Sequence, residues 1–536
     1  MSQKRIERPE LFFCLVGPVG IDLDVVHNAL ADQLRLFGYD SEAIHITELL
    51  PTIDPSLSKP FPTLYDRYDK LITRSNELRA LFGNNALMAQ LAFLLIQGAR
   101  HKRTGSHQKP AHGTAYIIRQ LKRPEEINLL RQVYGKQVFQ VSAYADPDIR
   151  KTRLATKMRI YDSSSTRTSE FEGKALELVN RDENEANVIH GQRLRDVFPL
   201  ADVFIDATSS DSARTTLERF LKLVFGNNFH SPSREEYGMY MAKSASLRSV
   251  DLSRQVGAAV FNPRGEVKVL GCNEVPSPSG GTYWEGDEGD AREYKFGIDT
   301  NEEFKHRLLS DVLKKLAAVG VVNKKYATVQ AREFLDQIKK EKNVDLDKQL
   351  LMMDTIEYGR IIHAEMNAIT DAARKGIPLE DSTLYCTTFP CHLCAKHIIS
   401  SGIKRVVYIE PYPKSYASEL YREDIELRRS EGKAIPPGKV YFEPFIGIAP
   451  FRYRDLFEKS KRKGPDGRAM EWQFGKPLPI VSITSEDYPN LETAILQTLV
   501  QEFAKNQVLL PGSLVSRLEG EPSAYSSSSD QETGPT

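Results

Sequence analysis

The stretch FPCHLCAKHII, residues 389–399, places Cys391, His392, Cys394 and His397 within seven positions, all metal- or redox-capable side chains. Three chemistries compete for it. A redox Cys-x-x-Cys needs two thiols at a helix N-terminus and no further ligand. A structural zinc site needs four protein ligands; a catalytic one needs three, an open position for water, and a general acid/base beside it. What else the chain supplies decides between them. Upstream, HAEMNAI at 363–369 offers His363 and Glu365 at the start of a strongly helical segment. The interval from His363 to Cys391 accommodates a helix, a turn and the strand STLYCTT at 382–388. Two helix N-termini can therefore meet across neighbouring strands, which makes this an α/β arrangement.

Pro390 opens the second helix, and Cys391 and Cys394, three apart, share one of its faces. A helix N-terminus favours anions and hence thiolates. His363, Cys391 and Cys394 are then the expected metal ligands, one zinc per chain, with Glu365 as the catalytic acid/base placed to reach a water. H-x-E followed by P-C-x-x-C, in that order, is the signature of the zinc nucleobase deaminases. His392 lies one position from Cys391 and points off the ligand face. His397 is expected to be a solvent-facing or packed helical residue, and Cys386 a small core residue in the strand. A fourth ligand from His397 or Cys386 would close the site and end the hydrolytic reading.

Outward from this stretch, the chain reads as two α/β patterns. LFFCLVG (11–17), TAYIIRQL (114–121), QVFQVSAYA (137–145) and ADVFIDA (201–207) are strand-like and separated by helical segments, implying a mostly parallel sheet. A linker-like FGNNFHSPSREEYG (225–238) precedes a second unit with the helix EEYGMYMAKSASLRS (235–249). Its strands are expected at QVGAAVFNP (255–263), EVKVLGCNEVP (266–276), STLYCTT (382–388) and KRVVYIE (404–410). The expected domains are 1–228, 229–480 with an insertion at about 277–353, and 481–536 as a helix and a disordered tail. The insertion is acidic and glycine-rich, then helical and lysine-rich, a candidate lid, oligomer contact or specificity element. The ending EGEPSAYSSSSDQETGPT (519–536) has the composition of a disordered tail.

Composition narrows the function classes. The 536 residues carry 72 Lys plus Arg against 72 Asp plus Glu, so the chain lacks the polycationic character of a dedicated nucleic-acid binder. Five cysteines, three of them between 386 and 394, suit an intracellular metal site better than a disulfide framework. The apolar run ALMAQLAFLLIQGA (86–99) is short for a membrane span and contains two glutamines, so it reads as a buried helix. No membrane segment or signal peptide is expected, and the cytoplasm is the default compartment.

From about Arg234 to Glu410 the chain resembles the deoxycytidylate deaminase branch of the cytidine deaminase superfamily. The resemblance is carried by YGMYMAKSASLRSVDLSRQVGAAV (237–260), VLGCNEVP (269–276), HAEMNAI (363–369) and CTTFPCHLCAKHIISSGIKRVVY (386–408). It implies a three-layer α/β/α domain with a long insertion and substrate contacts from Asn273 and Ala364. The expected reaction is hydrolysis of a deoxycytidine nucleotide, dCTP or dCMP, to the deoxyuridine nucleotide and ammonia. The whole chain is similar to bacterial anti-phage dCTP deaminases, in which a P-loop kinase-like parallel-sheet domain precedes the deaminase domain. VNRDENEANVIHGQRLRDVFPLADVFID (179–206) and FEPFIGIAPFRY (442–453) fit that likeness. It implies depletion of dCTP as an antiviral defence and restraint of activity in uninfected cells, in some relatives by a small regulatory RNA. A homo-oligomer is expected.

In LVGPVGIDLD (15–24), Gly17 and Gly20 follow a strand and precede a helix, the context of a phosphate cradle. A Walker A loop would place Lys and Ser/Thr where Ile21 and Asp22 stand. Two readings stay open: an ordinary turn in a degenerate kinase-like fold, or a site for a regulatory nucleotide. The basic run Arg150, Lys151, Arg153, Lys157 and Arg159 is either a solvated helical face or a point of regulatory entry. Against the nucleotide hydrolase stand two alternatives, a polynucleotide deaminase acting on tRNA or single-stranded DNA, and a non-enzymatic protein with structural zinc.

Overall fold

The computed structural model describes residues 6–508 except 59, 184, 186, 187, 343, 413, 428–437, 460, 473–476 and 482–484. The chain forms two mixed α/β units, each with a six-stranded, parallel-rich sheet. One unit comprises residues up to Ser231 together with the return from Ile446; the other runs from Pro232 to Phe445. This corrects the expected boundary at 480. The chain leaves the second unit at Phe445, because Gly447 and Ile448 pair antiparallel with Phe204 and Val203 in the first sheet. The expected disordered tail, 519–536, lies outside the described residues.

Longer elements are numbered in chain order. The first unit contains β1 (Leu11–Val16), α1 (Leu23–Leu36), β2 (Asp40–His45), α2 (Leu64–Phe82), α3 (Leu87–Thr104), β3 (Thr114–Arg119), α4 (Pro124–Tyr134) and β4 (Val138–Tyr144). It continues through α5 (Pro147–Tyr161), α6 (Glu172–Glu183), β5 (Val203–Asp206) and α7 (Ser210–Val224). The sheet order is β12-β5-β4-β1-β3-β2, where β12 is Gly447–Ile448. β1 is buried along its whole length because helices cover both faces of a central parallel strand. Phe12, Cys14 and Val16 face one apolar cluster, and Leu11, Phe13 and Leu15 face the other. No single described helix is long and apolar enough to cross a membrane; α2 and α3 pass only as a pair bent by 103°, and α3 is buried in the core.

The second unit contains α8 (Arg234–Ser246), β6 (Gly257–Phe261), β7 (Val267–Cys272), α9 (Thr300–Ala318) and α10 (Ala331–Lys342). After these come α11 (Ala364–Lys375), β8 (Thr383–Thr388), α12 (His392–Ser400), β9 (Arg405–Glu410), β10 (Ile425–Leu427) and β11 (Val440–Pro444). Its sheet order is β10-β11-β9-β8-β6-β7, with β6 antiparallel to both neighbours and the rest parallel. α8 starts in a capping box between Ser233 and Glu236 and packs on one sheet face, where Gly238 rests against the Tyr385 ring. α11 and α12 pack on the other, burying Ala364, Ala368, Cys394 and Ile398 with Ala258, Val260 and Leu384.

Two glycines set the helix heights. A Cβ on Gly257 would lie 1.9 Å from the Ala242 carbonyl oxygen of α8, and one on Gly271 would lie 2.1 Å from the Ala364 carbonyl oxygen of α11. Only a residue without a side chain lets each helix rest directly on the β6–β7 hairpin. α9 and α10 belong to the insertion and share a small apolar cluster of their own around Leu309, Leu313 and Leu335. The last described helix, α13 (Tyr488–Lys505), returns to the first unit and buries Leu496, Leu499 and Phe503 with α3.

Candidate active site

The carboxyl ends of the strands around β8 deliver the reactive side chains. His363 is the extended N-cap residue of α11, and Cys391 holds the same position on α12, its Sγ accepting from the Cys394 N–H at 3.4 Å. His363 Nδ1 lies 3.2 Å from Cys391 Sγ and 3.4 Å from Cys394 Sγ. The three donor atoms all fall within 4.8 Å of one another. Tetrahedral zinc, with bonds of about 2.1 Å to nitrogen and about 2.3 Å to sulfur, requires donors at about this spacing, and one imidazole with two thiols is a zinc donor set. The residues fit the metal.

Electrostatics agree with that assignment. The hydrogen bond from Cys394 and the nearby imidazole hold the Cys391 pKa well below the usual thiol range, which favours its thiolate. Burial raises the pKa of Cys394. Burial also opposes charge on His363, but its hydrogen bond to Cys391 and the thiolate's charge outweigh this and raise its pKa. Glu365, on the first turn of α11, is 4% exposed; burial and the Cys391 charge raise its pKa.

The histidines next to the cysteines stay apart from this group. His392 Nε2 is 3.4 Å from Glu357, and His397 is exposed. Cys386 fills the core as expected; burial and the neighbouring Glu365 charge raise the pKa of its thiol.

His363, Glu365 and Cys391 line a cavity of about 210 Å³ together with both expected substrate contacts, Asn273 and Ala364. The Asn273 amide is engaged within the protein. Its Nδ2 donates to Asp251 Oδ2 at 3.2 Å and to the Arg254 carbonyl at 2.8 Å, and its Oδ1 accepts from Val256 N–H at 2.7 Å. It therefore braces the turn 251–256 against the end of β7. Ala364 is wholly buried, and its carbonyl lies over Gly271. The insertion adds the wall that sequence reasoning left unassigned, with Glu293, Asp299, Asn301, Glu302 and Lys305 all facing the cavity. Arg254, Tyr412 and Lys414 complete it from loops. None carries a local signal, because chain segments far apart in sequence bring them together.

In the first unit, Gly17 and Gly20 line a separate cavity of about 330 Å³ at the strand ends. Gly20 has φ +95°, and a Cβ there would lie 2.5 Å from the Arg150 carbonyl oxygen. The loop N–H of Val19 donates to Asp182 Oδ2 at 2.7 Å, and Lys122 Nζ bonds both Asp182 and the Gly17 carbonyl. A wholly buried carboxylate thus takes a backbone donor of the kind a phosphate would use. The basic run on α5 is mostly paired: Arg150 with Glu183, Lys151 with Glu172, and Lys157 with Asp22.

Comparison with known proteins agrees with the geometry. Residues 232–410 match the family model of the cytidine and deoxycytidylate deaminase zinc-binding region, so the second unit contains such a domain. Over 78 residues the chain is 44% identical to ComE operon protein 2 of Bacillus subtilis (strain 168), covering 14% of this chain and 41% of that protein. Over 54 residues it is 56% identical to the deoxycytidylate deaminase of Enterobacteria phage T4, covering 10% of this chain and 28% of that one. The matched stretches thus span less than half of these relatives. Among solved structures, the cyanophage S-TIM5 dCMP deaminase in complex with dCMP and dUMP matches at TM-score 0.21 and 18% identity, over 40% of this chain and 98% of that one.

Proposed function

We propose that this chain hydrolyses the exocyclic amine of a deoxycytidine nucleotide, dCMP or dCTP, releasing the deoxyuridine nucleotide and ammonia. The observation that carries the reading is the group His363, Cys391 and Cys394 at the edge of a cavity that His363, Cys391 and the buried Glu365 line. A zinc ion held by these three side chains would supply the Lewis acidity that brings the pKa of water to about 7. Glu365 supplies the proton transfers. Its carboxylate takes a proton from the attacking water and gives it to the ring nitrogen N3, and a second transfer protonates the departing amine. Water adds oxygen at C4 as the C4–N bond breaks, so the atoms balance. The first turn of α11 carries the carboxyl group to the cavity.

The acidic wall of the cavity supports a free nucleotide over a polynucleotide strand, whose repeated phosphates it would repel. The sequence likeness to anti-phage dCTP deaminases supports a role in depleting dCTP in the cytoplasm during infection, and a homo-oligomeric assembly restrained in some manner, a small RNA being one candidate. The cavity bearing Gly17 and Gly20 is the proposed regulatory-nucleotide site, where a phosphate would have to displace Asp182.

The deciding experiment incubates the purified full chain with dCTP, dCMP, CTP, deoxycytidine and a cytosine-containing oligonucleotide and measures ammonia. Release from a free deoxynucleotide is expected. Turnover of the oligonucleotide with no free nucleotide consumed would replace this reading with that of a polynucleotide deaminase.

A further inference from the structure

Three basic side chains line the candidate active-site cavity, and two of them are already neutralised. Lys305 is buried, bonded to Glu302 and to the Met353 carbonyl. Lys414 pairs with Asp354 at 2.7 Å. The third, Arg254, is exposed, and among the described residues no carboxylate pairs with its guanidinium. It lies over the Tyr412 ring at 5.2 Å, a contact that orients the plane while leaving the five N–H donors unused.

The backbone beneath it is fixed. Asp251 Oδ2 accepts from the N–H groups of Ser253 and Arg254, both at 3.2 Å, and Asn273 Nδ2 clamps the Arg254 carbonyl. A braced turn thus holds one uncompensated cation at a cavity whose insertion-derived wall carries carboxylates. A phosphate entering with a nucleotide is repelled by those carboxylates and attracted by the open guanidinium that lines the same cavity, whose fork suits a phosphate bidentately.

We propose that Arg254 is the phosphate-reading residue of this cavity, the group by which it selects a 5′-nucleotide over the nucleoside. This rests on the cytosine-deaminating reading above and adds the residue that discriminates substrate class within it.

The test measures binding by calorimetry to the full-length chain carrying Glu365→Gln, which separates affinity from turnover. Deoxycytidine, dCMP and dCTP are titrated with and without Arg254→Gln. Arg254→Gln is expected to weaken dCMP and dCTP by roughly ten- to hundredfold, the worth of a charge-assisted pair, and to leave deoxycytidine within about twofold. Arg254→Lys, which keeps the charge but not the fork, is expected to restore part of the loss. An equal loss for all three ligands would mean that Arg254 only supports the fold of the pocket, and no loss would place the phosphate elsewhere; either result overturns the proposal. If the Glu365→Gln parent binds no cytosine compound at all, the deaminase reading fails, and this one with it. Phosphate-indifferent binding of deoxycytidine and dCMP by the parent overturns the Arg254 assignment alone.

Discussion

At the scale of single residues, the proposed chemistry gives Glu365 and the three candidate zinc ligands, His363, Cys391 and Cys394, separable duties. Glu365→Gln keeps size and polarity while removing proton transfer, so ammonia release is expected to fall by roughly 10²–10⁴-fold with zinc content and folding unchanged. Metal analysis and circular dichroism of the same preparation check both halves. Cys394→Ser or His363→Ala instead removes a ligand, and zinc is expected to drop well below about one per chain together with activity. A Glu365 variant that lost zinc equally would assign the carboxylate to the metal rather than to the water. These residues were legible in the sequence because helix N-caps fix their geometry locally: His363 and Cys391 each stand at a cap, and Cys394 follows within a turn. Arg254 and Glu302 were not legible, since only the folded cavity shows that one lining cation has no carboxylate partner while Lys305 and Lys414 do.

At the scale of elements, the height of α11 above the hairpin decides where His363 and Glu365 point. Gly271→Ala would drive a methyl group into the Ala364 carbonyl, one residue from each of them. The substitution is expected to cost about 1–3 kcal/mol by overpacking, read from urea denaturation, and to lower kcat more than a surface Gly→Ala change does. Unchanged stability and kcat would show that the hairpin yields freely. Apolar periodicity found β1 and β3 through β9, whose residues are largely buried. β2 reads DSEAIH, a polar edge strand, and β12 has two residues, so neither offers a hydrophobic pattern to recognise.

At the scale of the molecule, the first unit is closed by residues from the far end of the chain. Arg100 is fully buried between Glu10 and Glu492, and Glu10 also accepts from the hydroxyls of Tyr116 and Tyr488 at 2.8 Å each. Removing Glu492 leaves Arg100 paired with Glu10 but orphans two buried guanidinium N–H donors. Glu492→Leu is expected to destabilise this unit by about 1–3 kcal/mol, seen as an earlier melting transition, while zinc binding by the second unit persists. A single unshifted transition would contradict that account. The expected boundary at 480 failed for the same reason: a return crossing made by a two-residue strand and one helix has almost no local signature.

That return has a consequence for how the protein is made. The first unit begins emerging from the ribosome first, yet the edge beside β5 and the cover over α3 arrive only after the whole second unit has been synthesised. At about 5–20 residues per second, roughly 10–40 s separate the emergence of Ser231 from that of Ile446. At the end of that interval the nascent first sheet still has an open edge and Arg100 still lacks its second carboxylate, while the second unit has all the strands of its described sheet. The unit begun second is the first able to finish.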